Sequence, residues 1–194
     1  MDRRRSVILA AAGALVVTSL SACGVDGPPS GPLFEKVKAN VYVYVIDGSE
    51  MEFTDGFQTF AAPDDADVVI ESVRSIGDSD GVSVIGTLLS GPPGENGTYQ
   101  SFDAYPPVQG LDGDTFHAWG ARIPAGSGFY QILVGYRGAI TEMSVRRGLE
   151  VTYRIGDDTY RDTLPAGIVM CPRDEEQACD DQMNRLVDQL VEER

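Results

Sequence analysis

The chain has 194 residues, with 30 Asp and Glu against 15 Lys and Arg, a formal net charge of −15 and a single histidine. That length suffices for one domain with a proper core plus terminal extensions. A surface this acidic repels nucleic acid and anionic lipid headgroups, which argues against a nucleic-acid partner and against electrostatic adhesion to a membrane.

At the N-terminus, Arg3-Arg4-Arg5 precede an uncharged run of 14 residues, Val7 to Leu20, rich in Ala, Val and Leu. The run has the length of a secretory h-region and is too short to cross a bilayer as a helix. It ends in Leu20-Ser21-Ala22-Cys23, and the bulk of Leu20 does not suit ordinary cleavage after Ala22, which wants small residues. With this box the chain resembles a bacterial lipoprotein precursor. More loosely, the stretches 67–73, 81–86 and 149–154 are similar to uncharacterised actinobacterial envelope lipoproteins. The resemblance implies removal of residues 1–22 as a signal peptide and a lipid (diacylglyceryl, palmitate-type) group on the Cys23 thiol. It also implies residence at the outer face of the cytoplasmic membrane. Loss of Asp2 and three arginines would then take the net charge from −15 to −17. Two acyl chains hold firmly where one is marginal, so the lipid and not the surface provides the anchor.

Residues 23–36 read as a flexible tether, because Gly24-Val25-Asp26-Gly27-Pro28-Pro29-Ser30-Gly31-Pro32 has no apolar period. A β-domain is expected over 37–173. Its first strand is Val41-Tyr42-Val43-Tyr44-Val45-Ile46, β-branched and aromatic. Further β-prone runs follow at 68–76, 82–89, 116–123, 129–138, 149–155, 160–164 and 168–170, punctuated by Gly, Pro, Asp and Asn. No run before residue 174 keeps a helical period. Short strands at this spacing predict an all-β fold, an immunoglobulin-like β-sandwich of seven to nine strands, with a small β-barrel as the alternative. Residues 174–194 change character. Cys179, Met183, Leu186 and Leu190 fall at steps of four, three and four, which makes one apolar stripe on a C-terminal amphipathic helix. Asp174 is placed to cap it, with Gln177 at the capping-box position.

Gly77-Asp78-Ser79-Asp80-Gly81 spells G-x-S-x-G, the signature of a nucleophilic serine on a strand-turn-helix elbow. The residues that follow, Val82-Ser83-Val84-Ile85, favour a strand. Asp80-Gly81 between two β-prone runs is instead a strong hairpin signal. The runs 68–76 and 82–89 are therefore expected to be the two arms of one hairpin with Ser79 at its tip. His117, the single histidine, lies in another β-prone run. No catalytic residue is assigned. Gly156-Asp157-Asp158 predicts a second hairpin. Asp78-Ser79-Asp80-Gly81 fails as a calcium loop, since Ile76 and Thr87 occupy the first and last ligand positions. No cofactor and no metal site is expected.

Setting Cys23 aside for lipid leaves Cys171 and Cys179 as an even pair in an oxidising compartment, and a disulfide between them is expected. The segment 90–114 is long for a connection and carries Tyr99, Phe102 and Tyr105 amid Gly, Pro and Asp, so these three mark the candidate binding loop. The function expected on these grounds is a non-enzymatic binding or protein-interaction role. The partner would be an envelope protein or a small ligand whose identity the sequence leaves open. The alternatives are a carboxylate-dependent cell-envelope hydrolase and a small-ligand or metal carrier.

Overall fold

The computed structural model describes residues 27–35, 37–38, 40–46, 51–77, 81–91, 101–107 and 114–192. It is an all-β sandwich with a C-terminal helix. The signal segment, Cys23, Ser79, Tyr99 and Asp112 lie outside the described residues.

Twelve strands are described: β1 (Asn40–Ile46), β2 (Met51–Ala61), β3 (Val68–Ile76), β4 (Val82–Gly91), β5 (Ser101–Phe102), β6 (Asp114–His117), β7 (Arg122–Ile123), β8 (Phe129–Gly138), β9 (Ser144–Arg146), β10 (Gly148–Ile155), β11 (Asp158–Leu164) and β12 (Ala166–Pro172). Eight of them run for seven residues or more and carry the architecture. They form three sheets, ordered β5-β2-β8-β4-β6, β11-β10-β3-β7 and β1-β12-β9. The first and last strands pair in parallel, Asn40 opposite Ala166 through Ile46 opposite Pro172.

β8 is the centre of the largest sheet and is buried from Tyr130 to Tyr136. Its alternate residues Tyr130, Ile132, Val134 and Tyr136 enter the main core with Phe53 and Phe60 of β2, Ile70 of β3, Val151 and Tyr153 of β10, and Ile168 and Met170 of β12. Each fully buried side chain of this kind contributes about 1.5–3 kcal/mol by leaving water. β12 is apolar on both faces for a reason the sequence pattern alone conceals. Ile168 and Met170 face the main core, while Val169 and Cys171 face a second cluster made with Cys179, Leu186 and Leu190.

That second cluster seats the C-terminal helix α1 (Glu176–Glu192). Its expected stripe is the buried one, and it covers the outer face of the β1-β12 pair. Gly167 permits the close approach, since a Cβ there would stand 2.7 Å from a Leu186 methyl carbon. Asp174 does not cap the helix. It sits inside a 3-10 turn, Arg173–Glu175, that begins after Pro172 and has no side-chain cap bond. Cys171 and Cys179 stand at disulfide distance, 6.2 Å between their Cα atoms, and join the end of β12 to the first turns of α1.

Three local expectations change. The runs 68–76 and 82–89 form strands β3 and β4, but they are not arms of one hairpin: β3 pairs with β10 and β7, and β4 with β8 and β6. The Asp-Gly signal marks a reversal without fixing which strands pair after it. Gly81 takes φ +80°, where a Cβ would meet the Ala139 carbonyl at 2.9 Å, so the chain turns there into the opposite sheet. The run 116–123 is likewise cut into β6 and β7, in different sheets, around Gly120 at φ +76°. By contrast β10 and β11 do form the hairpin expected at Gly156, with Ile155 opposite Asp158.

The third change concerns the expected tether, which is packed against the sandwich from Gly27 onward. Arg161 N donates to Pro29 O at 2.9 Å. Asp162 Oδ1 accepts from Ser30 Oγ and from Gly31 N, the latter at 3.0 Å, while its Oδ2 accepts from Tyr153 Oη at 2.5 Å. Tyr153 Oη in turn accepts from Leu33 N at 3.0 Å. Leu33 and Phe34 then enter the core, where Phe34 meets Phe60 edge-on at 5.3 Å. A segment without apolar period is thus fixed by backbone and carboxylate hydrogen bonds, with two apolar residues as its plug.

Candidate functional site

The site is built on an irregularity in β2. Opposite β8, Asp55 pairs with Val134 and Gln58 with Ile132, so Gly56 and Phe57 together face the single residue Leu133. This is a β-bulge, and its effect is to put residues of odd spacing on one face. Phe53, Asp55, Gln58 and Phe60 all point between the sheets. Gln131 Nε2 of β8 donates to the Gly56 carbonyl and pins the bulge. Phe57, displaced by the bulge, stacks on Tyr42 of β1 with ring centroids 4.1 Å apart and planes 21° from parallel.

The two inward polar residues meet different fates. Asp55 is paired: its Oδ2 lies 2.8 Å from Arg146 Nη2, and both side chains are buried. Arg146 Nη1 donates to Tyr136 Oη at 2.5 Å, and its Nε and Nη2 donate to the Ala166 carbonyl at 3.1 and 2.9 Å. The cluster thus ties the sheet of β2 and β8 to that of β12 and β9. Burial pushes the Tyr136 phenol above its ordinary range, against the pull of the adjacent guanidinium. This is a structural network whose charges neutralise one another.

Gln58 is only 2% exposed, yet neither its Nε2 nor its Oε1 has a hydrogen-bond partner. A buried donor or acceptor left so costs about 1–3 kcal/mol. The residue borders a cleft of about 900 Å³ that opens where the edges of β1 and β2 face each other, its two amide atoms closed off from contact. That size lies within the range of small-molecule sites. Phe60, Ile155, Leu164 and Ala166 supply apolar walls, the Tyr42–Phe57 pair a flat aromatic one, and Pro32, Leu33, Glu35, Val37 and Lys38 one lip. Exposed Glu35, Asp64 and Asp65 stand at the rim with Lys38. A smaller polar cleft of about 450 Å³ lies beside Ser30, Arg161 and Asp162, where Asp162 is already taken up by the arm.

None of the described residues of the expected binding loop lines this cleft. Tyr99 and the Phe102 side chain lie outside the described residues. Tyr105 lies on the outer face of the large sheet, its ring over two glycines, where a Cβ on Gly135 would come within 2.2 Å of the ring. Burial raises its phenol pKa. Tyr105 is a packing residue, held there as Thr54 Oγ1 donates to the Ala104 carbonyl at 2.6 Å. His117 is exposed on β6, and a strand, not a helix, follows Gly81. Among the described residues no group of three or more His, Cys, Asp or Glu is placed to hold a metal ion.

Gln58 was not singled out by its sequence context, since Thr54-Asp55-Gly56-Phe57-Gln58-Thr59 breaks the strand alternation. Asp-Gly within an otherwise β-prone stretch is the one signal for the bulge that turns it inward. No protein-family model matches the chain, and no curated protein sequence is significantly similar to it.

Proposed function

We propose that this protein is a lipid-anchored envelope protein with a non-enzymatic binding role, and that its ligand enters the cleft between β1 and β2. The observation that carries the reading is the cleft itself, about 900 Å³ and walled by Phe60, Ile155, Leu164, Ala166 and the Tyr42–Phe57 stack, which is large enough for a small molecule. The buried carboxylates support a binding role over acid–base chemistry, because Asp55 is engaged by Arg146, and Asp162 by Ser30, Gly31 and Tyr153. The membrane part of the reading rests on the resemblance of Leu20-Ser21-Ala22-Cys23 to a lipobox.

Two measurements test the proposal. Replacement Cys23→Ser should release the protein from the membrane fraction of cells, and retention there would defeat the anchoring. Titration of small apolar compounds into the labelled full chain should shift the amide resonances of Gln58, Phe60 and Ala166 together. Shifts confined to other surfaces would defeat the cleft as the binding site.

A further inference from the structure

We infer that the cleft takes an extended peptide, basic rather than acidic, which adds as a further strand to the outer edge of β2 at Thr59 and Ala61. This deepens the binding role proposed above and rests on it.

The register of β2 on β8 decides which of its backbone groups face outward. Ala62 N donates to the Gly128 carbonyl at 2.8 Å, and Phe60 lies opposite Tyr130. In an antiparallel pair, residues that bond the partner alternate with residues whose N–H and C=O point away. Ala62, Phe60 and Gln58 therefore bond β8, while Thr59 and Ala61 turn both backbone groups to the other side. On that side β5 pairs only with Thr54 and Asp55, and its pairing stops at the bulge of Gly56 and Phe57. No other described strand pairs with β2 there. Thr59 is partly exposed and Ala61 exposed, and the unbroken run from Phe57 to Ala62 lines the cleft.

An unpaired edge is a template for another strand, and proteins blunt it with charges, proline or bulges. Beyond the bulge, from Gln58 to Ala62, the chain has no charge and no proline. The edge of β11 differs: it carries Arg161 and Asp162 and already takes the arm, with Arg161 N on Pro29 O. Donors and acceptors two residues apart along one edge match the backbone of an extended peptide. A strand laid there turns alternate side chains inward onto Phe60, Ile155, Leu164 and Ala166, so those side chains are apolar. The others face out on the side of Thr59. At the rim, the exposed carboxylates Glu35, Asp64 and Asp65 outnumber Lys38, and the whole chain carries net charge −15. Basic flanks are favoured over acidic ones.

The probe is an acetylated and amidated peptide, Lys-Val-Thr-Val-Thr-Val-Lys, added to isotope-labelled full chain in detergent, with amide hydrogen exchange followed by NMR. Saturating peptide should slow the Thr59 and Ala61 amides about tenfold, the scale of one hydrogen bond each, while Phe60 keeps the protection it already has. N-methylation of the peptide tests the backbone bonds in the unaltered protein. Methylating one alternate set of its amides should abolish binding and methylating the other should spare it, since only one set faces β2. Equal effects of the two sets overturn strand addition. Thr59→Pro removes an outward N–H without touching the β8 ladder, so the variant should bind the peptide about tenfold more weakly. Undiminished binding overturns this edge as the site, and the N-methyl comparison decides should the variant not fold. A peptide with Glu in place of Lys should bind more weakly, by a margin that salt narrows. Equal binding of the two overturns the charge preference. Absence of protection, while small apolar compounds still shift the cleft amides, overturns strand addition and leaves the cleft a binding site. Absence of both effects overturns both readings.

Discussion

Arg146 Nη2 stands 2.8 Å from Asp55 Oδ2 across the space between two sheets, and both side chains are removed from water. Taking either partner away leaves a charge in the core with nothing to neutralise it. Arg146→Met should therefore cost about 3–5 kcal/mol in urea unfolding, a large part of a domain's whole stability. The paired change Arg146→Met with Asp55→Leu should cost much less than the two single changes added together, because it strands no charge. Additive single and double effects would show that the pair is not coupled.

Gln58→Leu should act in the opposite direction to most core substitutions. It exchanges an unpartnered amide for an apolar group of similar size, so the free protein should gain about 1–2 kcal/mol. A higher melting temperature is the expected result. A loss of stability would mean that the amide is satisfied in solution.

Tyr153 is the alkaline weak point. Burial, with the hydrogen bond to Asp162 added, holds its phenol far above the ordinary value of 10.0, and burial raises Tyr136 as well. A pKa raised by folding stabilises the native state below the unfolded value and forfeits that stability as pH climbs past it. Unfolding free energy should be level from neutral pH to about 10 and then fall with each further step. Tyr153→Phe should lower stability at neutral pH by about 1–3 kcal/mol and flatten the alkaline slope. An unchanged slope would place the titration elsewhere.

Reduction of a Cys171–Cys179 bond should cost about 2–3 kcal/mol, the value for a short closed loop. The loss should be felt first in α1, whose amides would exchange faster while those of β8 keep their protection. Uniform loosening of the whole domain would show that helix and sandwich open as one unit.

Periodicity of apolar residues made the class of fold legible, along with the long strands other than β2 and the stripe Cys179, Leu186 and Leu190 on α1. Pairing was less legible. Asp80-Gly81 announces a reversal whether the next strand joins the same sheet or the opposite one, and the choice is made by distant partners such as Arg137 and Gly138 of β8. β2 and the site were the least legible. A bulge shifts the inward face by one residue, so Asp55 and Gln58 look out of phase although they share a side. Tyr105 drew notice because aromatics in loops often bind, but Gly86 and Gly135 leave a flat bed for its ring. Arg146 gave no warning, since a charged residue near a turn normally faces water.

In the lipid-anchored protein proposed above, the docking of the arm would limit how far the domain can drift from a bilayer. With lipid on Cys23, three residues, and so four Cα-to-Cα steps, separate the anchor from Gly27, which lies against Arg161. Even fully stretched, such a leash reaches about 14 Å. The β10–β11 end would therefore ride close to the headgroups, and the opening beside Pro32 would sample molecules at the membrane surface before those free in the surrounding fluid.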